Sequence, residues 1–468
     1  MGLLSLSRIS RAPTPSRRST SRARVFASAV VIASLIGANG GLTALHLSSN
    51  DLKDEGVSAV CEAIQSNKET KLTSLNFEFN GIGPVGANAL AAMVAVTGSL
   101  TSLNLGDNQL CGLWTDYYGQ QGTYTAEGIT AIADALRFHG AALTSIKLRC
   151  NQLGGEGWGA IFAAICGNKD SKIMSMDVSA EDIGPAGGKL IAEALRTSVT
   201  GGLTALDLSW NDLKDEGVSA VCKAIQSNKE TKLASLNFKV NGIGPGGANA
   251  VAAMVAVAGG LTSLDLSLNR LCGLDRDGRG TYTAKGITAI ADALRVNGGL
   301  TSIDLRNNQL CGMFGNRNDT YTAKGIIAIA DALRVNGSLT SVELRCNQLG
   351  GKGWGAIFAA ICGNKDSKIM SMDASVEYID PAGGKLIAEA LRTSVTGGLT
   401  ALDLSSNCLK DEGVSAVCKA IQSNKETKLA SLNFEYNGIG PVGANAVAAM
   451  VAVTGALTQV LAFCAPPT

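Results

Sequence analysis

Apolar residues recur along this chain at two alternating periods. Leu42, Leu45, Leu47, Asn50 and Leu52 alternate with polar residues in the manner of a half-buried strand and the turn that leaves it. The period then changes: Val57, Val60, Cys61 and Ile64 stand at i, i+3, i+4 and i+7, one stripe of a helix. The next copy repeats the text as Leu72, Leu75, Phe77, Asn80, Ile82, Gly86 and Leu90. Copies begin at Leu42, Leu72, Leu100, Leu143, Ile173, Leu203, Leu233, Leu261, Leu300, Leu339, Ile369, Leu399 and Leu429. We number them first to thirteenth. Each predicts a strand, a loop and a helix, and none can bury its apolar stripe alone. Stacking solves this, with strands in a parallel sheet and helices in a second layer over one continuous core.

This unit resembles the leucine-rich repeat, and its strand-plus-helix form is similar to the ribonuclease-inhibitor-like subtype, over about residues 25–463. The resemblance implies an α/β solenoid, a horseshoe with the parallel sheet on its concave face and helices on its convex face. It also implies that the recurring asparagine bonds backbone groups as the chain leaves the strand. Asn50, Asn80, Asn108, Asn151, Asn211, Asn241, Asn269, Asn308, Asn347, Asn407 and Asn437 hold that place, and Glu181 and Glu377 replace it twice. A carboxylate accepts but cannot donate, which predicts looser turns in those two copies. Above the repeat lies block duplication. Leu-Lys-Asp-Glu-Gly-Val-Ser-Ala-Val-Cys occurs at 52–61, 213–222 and 409–418.

Composition sharpens the ends. Residues 1–24 carry six arginines and no acid, leaving 34 basic against 39 acidic residues elsewhere. A body of that sign argues against nucleic acid as a partner. The expected organisation is a disordered Arg/Ser-rich leader or targeting segment over 1–24, a capping helix over 25–41, thirteen repeats over 42–456, and a truncated repeat with tail over 457–468. The apolar run Val25–Ala38 imitates a signal-peptide core, but aligns without gaps with a repeat helix and is too short to span a bilayer. The twelve cysteines recur at repeat positions without metal spacing. They read as reduced, buried small residues in a cytoplasmic protein; an organelle is the alternative if 1–24 is a transit peptide. Self-association through the C-terminal end, where no polar cap follows the last repeat, is a further expectation.

Several chemical motifs dissolve into the repeat. Gly81-x-Gly83-x-x-Gly86 follows a strand and opens a helix as a dinucleotide fingerprint does, and it recurs at Gly242 and Gly438. Yet Ile82 is the buried repeat position, and the third glycine occurs in every copy. Asp275, Asp277 and Gly278 faintly echo a calcium loop, but Arg279 and Gly286 stand where acids are needed. His46 and His139 lack any catalytic motif. No cofactor, metal or enzymatic activity is expected. Insertions at 111–125, 272–283 and 311–322 each end Thr-Tyr-Thr; their aromatics serve either as contact residues or as packing for adjacent loops.

What remains is the outward lane of the strands. Asp177, Asp207, Asn237, Asp265, Asp304, Glu343, Asp373 and Asp403 form a ladder, partly offset in the next lane by Lys239, Arg306 and Arg345. Neighbouring strands stand roughly 4.8 Å apart, so the ladder concentrates negative potential and favours a protein partner with a basic surface. Phe79, Trp210, Val240, Leu268, Val376 and Tyr436 add an apolar rim. The predicted site is therefore the acid lane with Phe79, Trp210 and Tyr436, on a non-enzymatic interaction scaffold, inhibitor or sensor. The alternatives are a GTPase-activating protein of the same repeat type and the sensor region of an immune-type receptor.

Overall fold

The structure, a computed structural model, describes residues 3–5, 30–36, 39–138, 142–199, 202–312, 321–394 and 398–462. It divides into two compact units, residues 1–212 with 227–233, and 213–226 with 234–468. Both are built from the same parts. A three-residue strand lies in each copy because only the Leu-x-x-Leu-x-Leu text alternates; the chain must turn at the asparagine.

In the first unit, strands Ala44–His46, Ser74–Asn76, Ser102–Asn104 and Ser145–Lys147 pair in parallel, with Leu3–Ser5 added beside Ala44–His46. Ser175–Asp177 and Ala205–Asp207 also pair in parallel. In the second unit, Ser235–Asn237, Ser263–Asp265, Ser302–Asp304 and Ser341–Glu343 pair in order. Ser371–Asp373, Ala401–Asp403, Ser431–Asn433 and Gln459–Leu461 pair likewise. The register aligns equivalent residues, so the leucines of successive copies stack inward. Leu45, Leu75, Leu236, Leu264 and Leu432 are buried, as are Phe77, Phe238 and Phe434, each two residues after Leu75, Leu236 or Leu432. The helices close the core from the other side. Lys53–Ser66, for example, buries Gly56, Val57, Val60, Cys61 and Ile64, the stripe expected from its spacing.

Two polar ladders hold copies in register. The first is the expected asparagine. Asn80 is fully buried; its side-chain amide donates to the carbonyls of Leu47 at 2.8 Å, Phe77 at 2.9 Å and Glu78 at 3.1 Å. Its oxygen accepts from the backbone N–H groups of Asn50 and Leu52. Loop groups that a buried turn would orphan are thereby satisfied across the copy boundary.

The second ladder lies where the helices end, and sequence reasoning missed it. Asn67 donates to Ile36 O, Asn168 to Leu136 O and Asn228 to Leu195 O, each at 2.7 Å. In the second unit Asn297, Asn336, Asn364 and Asn424 do the same to the preceding helix. Each satisfies a last-turn carbonyl that a helix leaves without a partner. Residues 30–36 are helical, and Ile36 O receives from Asn67 the same bond that Leu136, Leu195, Val255, Leu294, Leu333 and Leu391 receive from the asparagine of the following copy.

Candidate partner-binding face

The acid lane lies on the strand face, as its alternation requires. Asp207, Asp265, Asp304, Glu343, Asp373 and Asp403 are half-buried and Asp177 is exposed. Register places Asp265 beside Asp304, Asp304 beside Glu343, and Asp373 beside Asp403; in the first unit Asp177 neighbours Asp207.

These carboxylates have work inside the fold. Asp177, Asp207, Asp265, Asp304, Asp373 and Asp403 each accept the backbone N–H two residues on, at 2.8–3.0 Å. Asn76, Asn104, Asn237 and Asn433 make the same bond from the same position. The lane is thus a row of Asx turns, and either residue type satisfies the backbone. Charge is the part the turn does not require.

Much of that charge is answered locally. Arg306 grips Asp304 through Nε and Nη2, with Nη2 2.5 Å from Oδ2, and Asp265 and Glu343 face the same guanidinium. Arg345 meets Asp373 at 3.1 Å and Arg149 meets Asp177 at 3.3 Å. Asp403 accepts from the Asn433 side chain at 3.1 Å. The ladder is consequently less electronegative than a count of its acids suggests.

The rim is the stronger feature. The residue preceding the ladder asparagine or its Glu replacement has a positive φ, between 52° and 60°, in all thirteen copies. This left-handed region suits Gly and Asn and disfavours bulky or β-branched residues. Phe79 (φ 59°), Trp210 (φ 60°), Val240 (φ 52°), Leu268 (φ 57°), Val376 (φ 58°) and Tyr436 (φ 53°) occupy it nonetheless. Four of them are open to solvent: Phe79 61%, Trp210 56%, Val376 57% and Tyr436 71%. Val240 and Leu268 are half-buried. Neither the backbone nor the core asks for apolar side chains there.

The glycine fingerprint has a structural occupant. Asp54, in the first turn of the preceding helix, accepts from Gly83 N at 2.6 Å and Gly86 N at 3.0 Å. Asp411 does the same at Gly440 and Gly443, and Asp215 at Gly244. The anion-binding N–H groups at the start of these three Gly-Pro helices are already filled by a neighbour's carboxylate. A Cβ on Gly86 would sit 2.7 Å from that carboxylate oxygen, which explains the glycine.

Glu181 and Glu377 are buried, and their turns are anything but unheld. Glu181 Oε1 accepts from Cys150 N at 2.7 Å and Oε2 from Trp158 Nε1 at 3.3 Å. Glu377 repeats this with Cys346 N at 2.5 Å and Trp354 Nε1 at 3.2 Å. What loosens is the sheet, which is interrupted between Ser145–Lys147 and Ser175–Asp177, and again between Ser341–Glu343 and Ser371–Asp373. Burial pushes both carboxyls up, Glu377 to about 7, against the opposing pull of the cysteine N–H, the indole and Arg149 or Arg345.

The insertions divide by role. Tyr124, Tyr282 and Tyr321 donate their hydroxyls to Leu153 O, Leu310 O and Leu349 O of the next copy at 2.8–3.0 Å, so they pack the fold. Leu113–Asp116 and Gly119–Gly122 form an antiparallel hairpin whose tip exposes Tyr117 and Tyr118, with Trp114 partly open. Residues 313–320 of the third insertion lie outside the described residues, as do His139, most of the leader and residues 463–468. Asp275 closes its own loop by accepting from Asp277 N and Arg279 N. His46 is half-buried on its strand. Eight of the eleven described cysteines are buried; Cys150, Cys346 and Cys408 are exposed because they lie in turns rather than on the helical stripe. Among the described residues no group of three or more His, Cys, Asp or Glu is placed to hold a metal ion. No described helix is long and apolar enough to cross a membrane.

A sequence profile described as Leucine Rich repeat matches residues 42–61, 68–91, 203–222, 335–358, 399–418 and 425–448. The fold is that of a leucine-rich repeat. Human NACHT, LRR and PYD domains-containing protein 13 is 27% identical over 160 residues, 34% of this chain and 14% of that protein. Bovine NACHT, LRR and PYD domains-containing protein 5 is 26% identical over 169 residues, 35% of this chain and 13% of that protein. The chain therefore spans about one seventh of the length of these curated relatives. A chain of the yeast Rad7–Elc1 complex aligns with 95% of this leucine-rich-repeat chain and 94% of its own length, at 13% identity and a TM-score of 0.41.

Proposed function

We propose that this leucine-rich-repeat chain is a partner-sensing region that captures another protein on its strand face. Exposed rim residues would anchor the partner and the acid lane would select for basic side chains. The single observation that carries this reading is the rim. Phe79, Trp210, Val376 and Tyr436 occupy left-handed positions that disfavour them and remain open to solvent. Strain of that kind persists where function selects for it, and aromatic residues concentrate binding energy at protein interfaces. The acid lane supports the same face, because Asn would form its turns equally well and Asp adds only charge. The curated relatives suggest the setting, the repeats of a protein that also carries NACHT and PYD domains, which favours the sensor reading over a general scaffold.

The test uses Asn at the rim, since Asn fits the left-handed region. A Phe79→Asn, Trp210→Asn, Val376→Asn, Tyr436→Asn variant keeps its fold by circular dichroism and loses the partner captured by the wild type from native lysate. Capture unchanged by these four substitutions overturns the reading. A second variant, Asp265→Asn with Asp403→Asn, keeps both turns and weakens capture most at low salt, where exposed charges act furthest.

A further inference from the structure

Both interruptions of the sheet fall at the same place in the repeat text, before a copy in which Glu replaces the ladder asparagine. Elsewhere the backbone N–H of the left-handed residue donates to a carbonyl of the next copy: Phe79 N to Gly106 O, Asp107 N to Arg149 O, Val376 N to Ser405 O. At the two interruptions that carbonyl is replaced by a carboxylate, and Cys150 N and Cys346 N donate to Glu181 Oε1 and Glu377 Oε1. The Glu side chain therefore stands in the opened sheet as a strut between copies. Its other oxygen is fixed by a buried tryptophan, Trp158 or Trp354.

An asparagine in that place also donates. Asn151 gives a hydrogen bond to Leu105 O of the copy before, at 2.8 Å, and Asn347 gives one to Leu305 O, at 2.8 Å. The equivalent acceptors for Glu181 and Glu377 are Leu148 O and Leu344 O. A carboxylate has no hydrogen to offer them, whereas a carboxylic acid has one. We propose that the two sheet interruptions are proton-controlled joints: the protonated Glu181 and Glu377 close them by acting as the asparagine they replace, and the ionised forms leave them open.

The surroundings set the pH at which this happens. Glu377 is faced by Arg345, Cys346 and the Leu349 N–H of the tenth copy and by Cys311 of the ninth; Asp373 acts on Cys346, and the following copy offers the uncharged Asn407 to its backbone. Glu181 is faced by Arg149 and Cys150, by Asp177 on its own strand, and by Asn211 of the following copy; Asp107 lies beyond Cys150. Burial outweighs the arginine at both sites and raises the carboxyls, to about 7 for Glu377. It raises the two cysteine thiols as well, so they stay uncharged through the same range. The sign follows. A raised folded-state value favours the closed, protonated form below neutral pH, and its contribution is lost as pH rises through about 7.

Amide hydrogen exchange between pH 6 and 8, corrected for the chemical exchange rate, decides the matter. Leu148 and Leu344 N–H are the reporters, since their equivalents Leu105 and Ala374 donate across the paired sheet to Lys147 O and Asp403 O. Cys150 and Cys346 N–H do not serve, because they bond an ionised carboxylate more strongly than a protonated one. Phe79 and Asp107 N–H, which bond to backbone carbonyls, are the internal controls. Above the midpoint, protection of the reporters falls by up to about tenfold per pH unit, as single-proton linkage requires, while the controls stay level. In a Glu181→Gln, Glu377→Gln protein the side-chain amide supplies both acceptor and donor at all pH, and reporter protection becomes flat. Reporters that track the controls across the range in the wild type overturn the proposal, whether or not the Gln variant folds. So does a Gln variant with the same fall as the wild type.

Discussion

Val376→Asn should make this protein more stable, although it removes an apolar side chain. Val376 lies at φ 58°, and a left-handed conformation costs an L-residue about 1–2 kcal/mol, with β-branching at the upper end. Asn forms local hydrogen bonds in that region and avoids most of the cost. Against this stands lost burial. Val376 is 57% exposed, so it forfeits less than half of the roughly 1.5–2 kcal/mol that full burial of a valine provides, on the order of 0.7 kcal/mol. The balance is a gain of about 0.5–1 kcal/mol. Urea unfolding followed by circular dichroism measures it as a raised midpoint at unchanged slope. Val240→Asn serves as the comparison. It has the same backbone strain but is half-buried, so its two terms nearly cancel. A loss above about 1 kcal/mol for Val376→Asn would show that the side chain contributes to the fold, and would remove the main support for the rim as a binding surface.

Asn211→Ala tests the ladder. Asn211 is fully buried, donates to Val178 O, Leu208 O and Ser209 O, and accepts from Glu181 N and Ile183 N. Its removal leaves buried backbone groups unsatisfied and should cost about 3–5 kcal/mol by urea unfolding; a loss near zero would mean that water or a shifted loop replaces it. Asp411→Ala removes the carboxylate that caps the following helix through Gly440 N and Gly443 N. The expected cost is about 1–2 kcal/mol, with much of it restored by Asp411→Asn, which keeps the acceptor.

The repeat, its layers and its inward leucines were legible because a strand alternates with period two and a helix with 3.6, each within one copy. The ladder asparagine was legible for the same reason, as a fixed offset. Features that join two copies were hidden. Asp54 looks like an ordinary first-turn acid, and only the stacking shows that it caps the helix of the second copy rather than its own. Asn67 and its equivalents look like solvent-facing helix ends until the preceding helix is placed against them. The candidate site was half legible. Alternation put Asp265, Asp304 and Asp403 on the open face, but hid that their side chains make turns and that Arg306 covers Asp304. The rim residues were visible as apolar text, and their left-handed backbone was not, since it depends on a turn geometry that no residue type there announces.

The capping carboxylates have a historical consequence. Asp54, Asp215 and Asp411 belong to the first, sixth and twelfth copies, and each caps a Gly-Pro helix in the second, seventh or thirteenth. A helix of the second kind separated from its predecessor would begin with bare N–H groups; one of the first kind would carry an aspartate with nothing to cap. The two are complementary halves, and wherever one occurs in this chain the other follows. Copying either of the two alone would have parted them. The first and second kinds were therefore copied together, so a shortened or extended version designed to fold should keep each such pair whole.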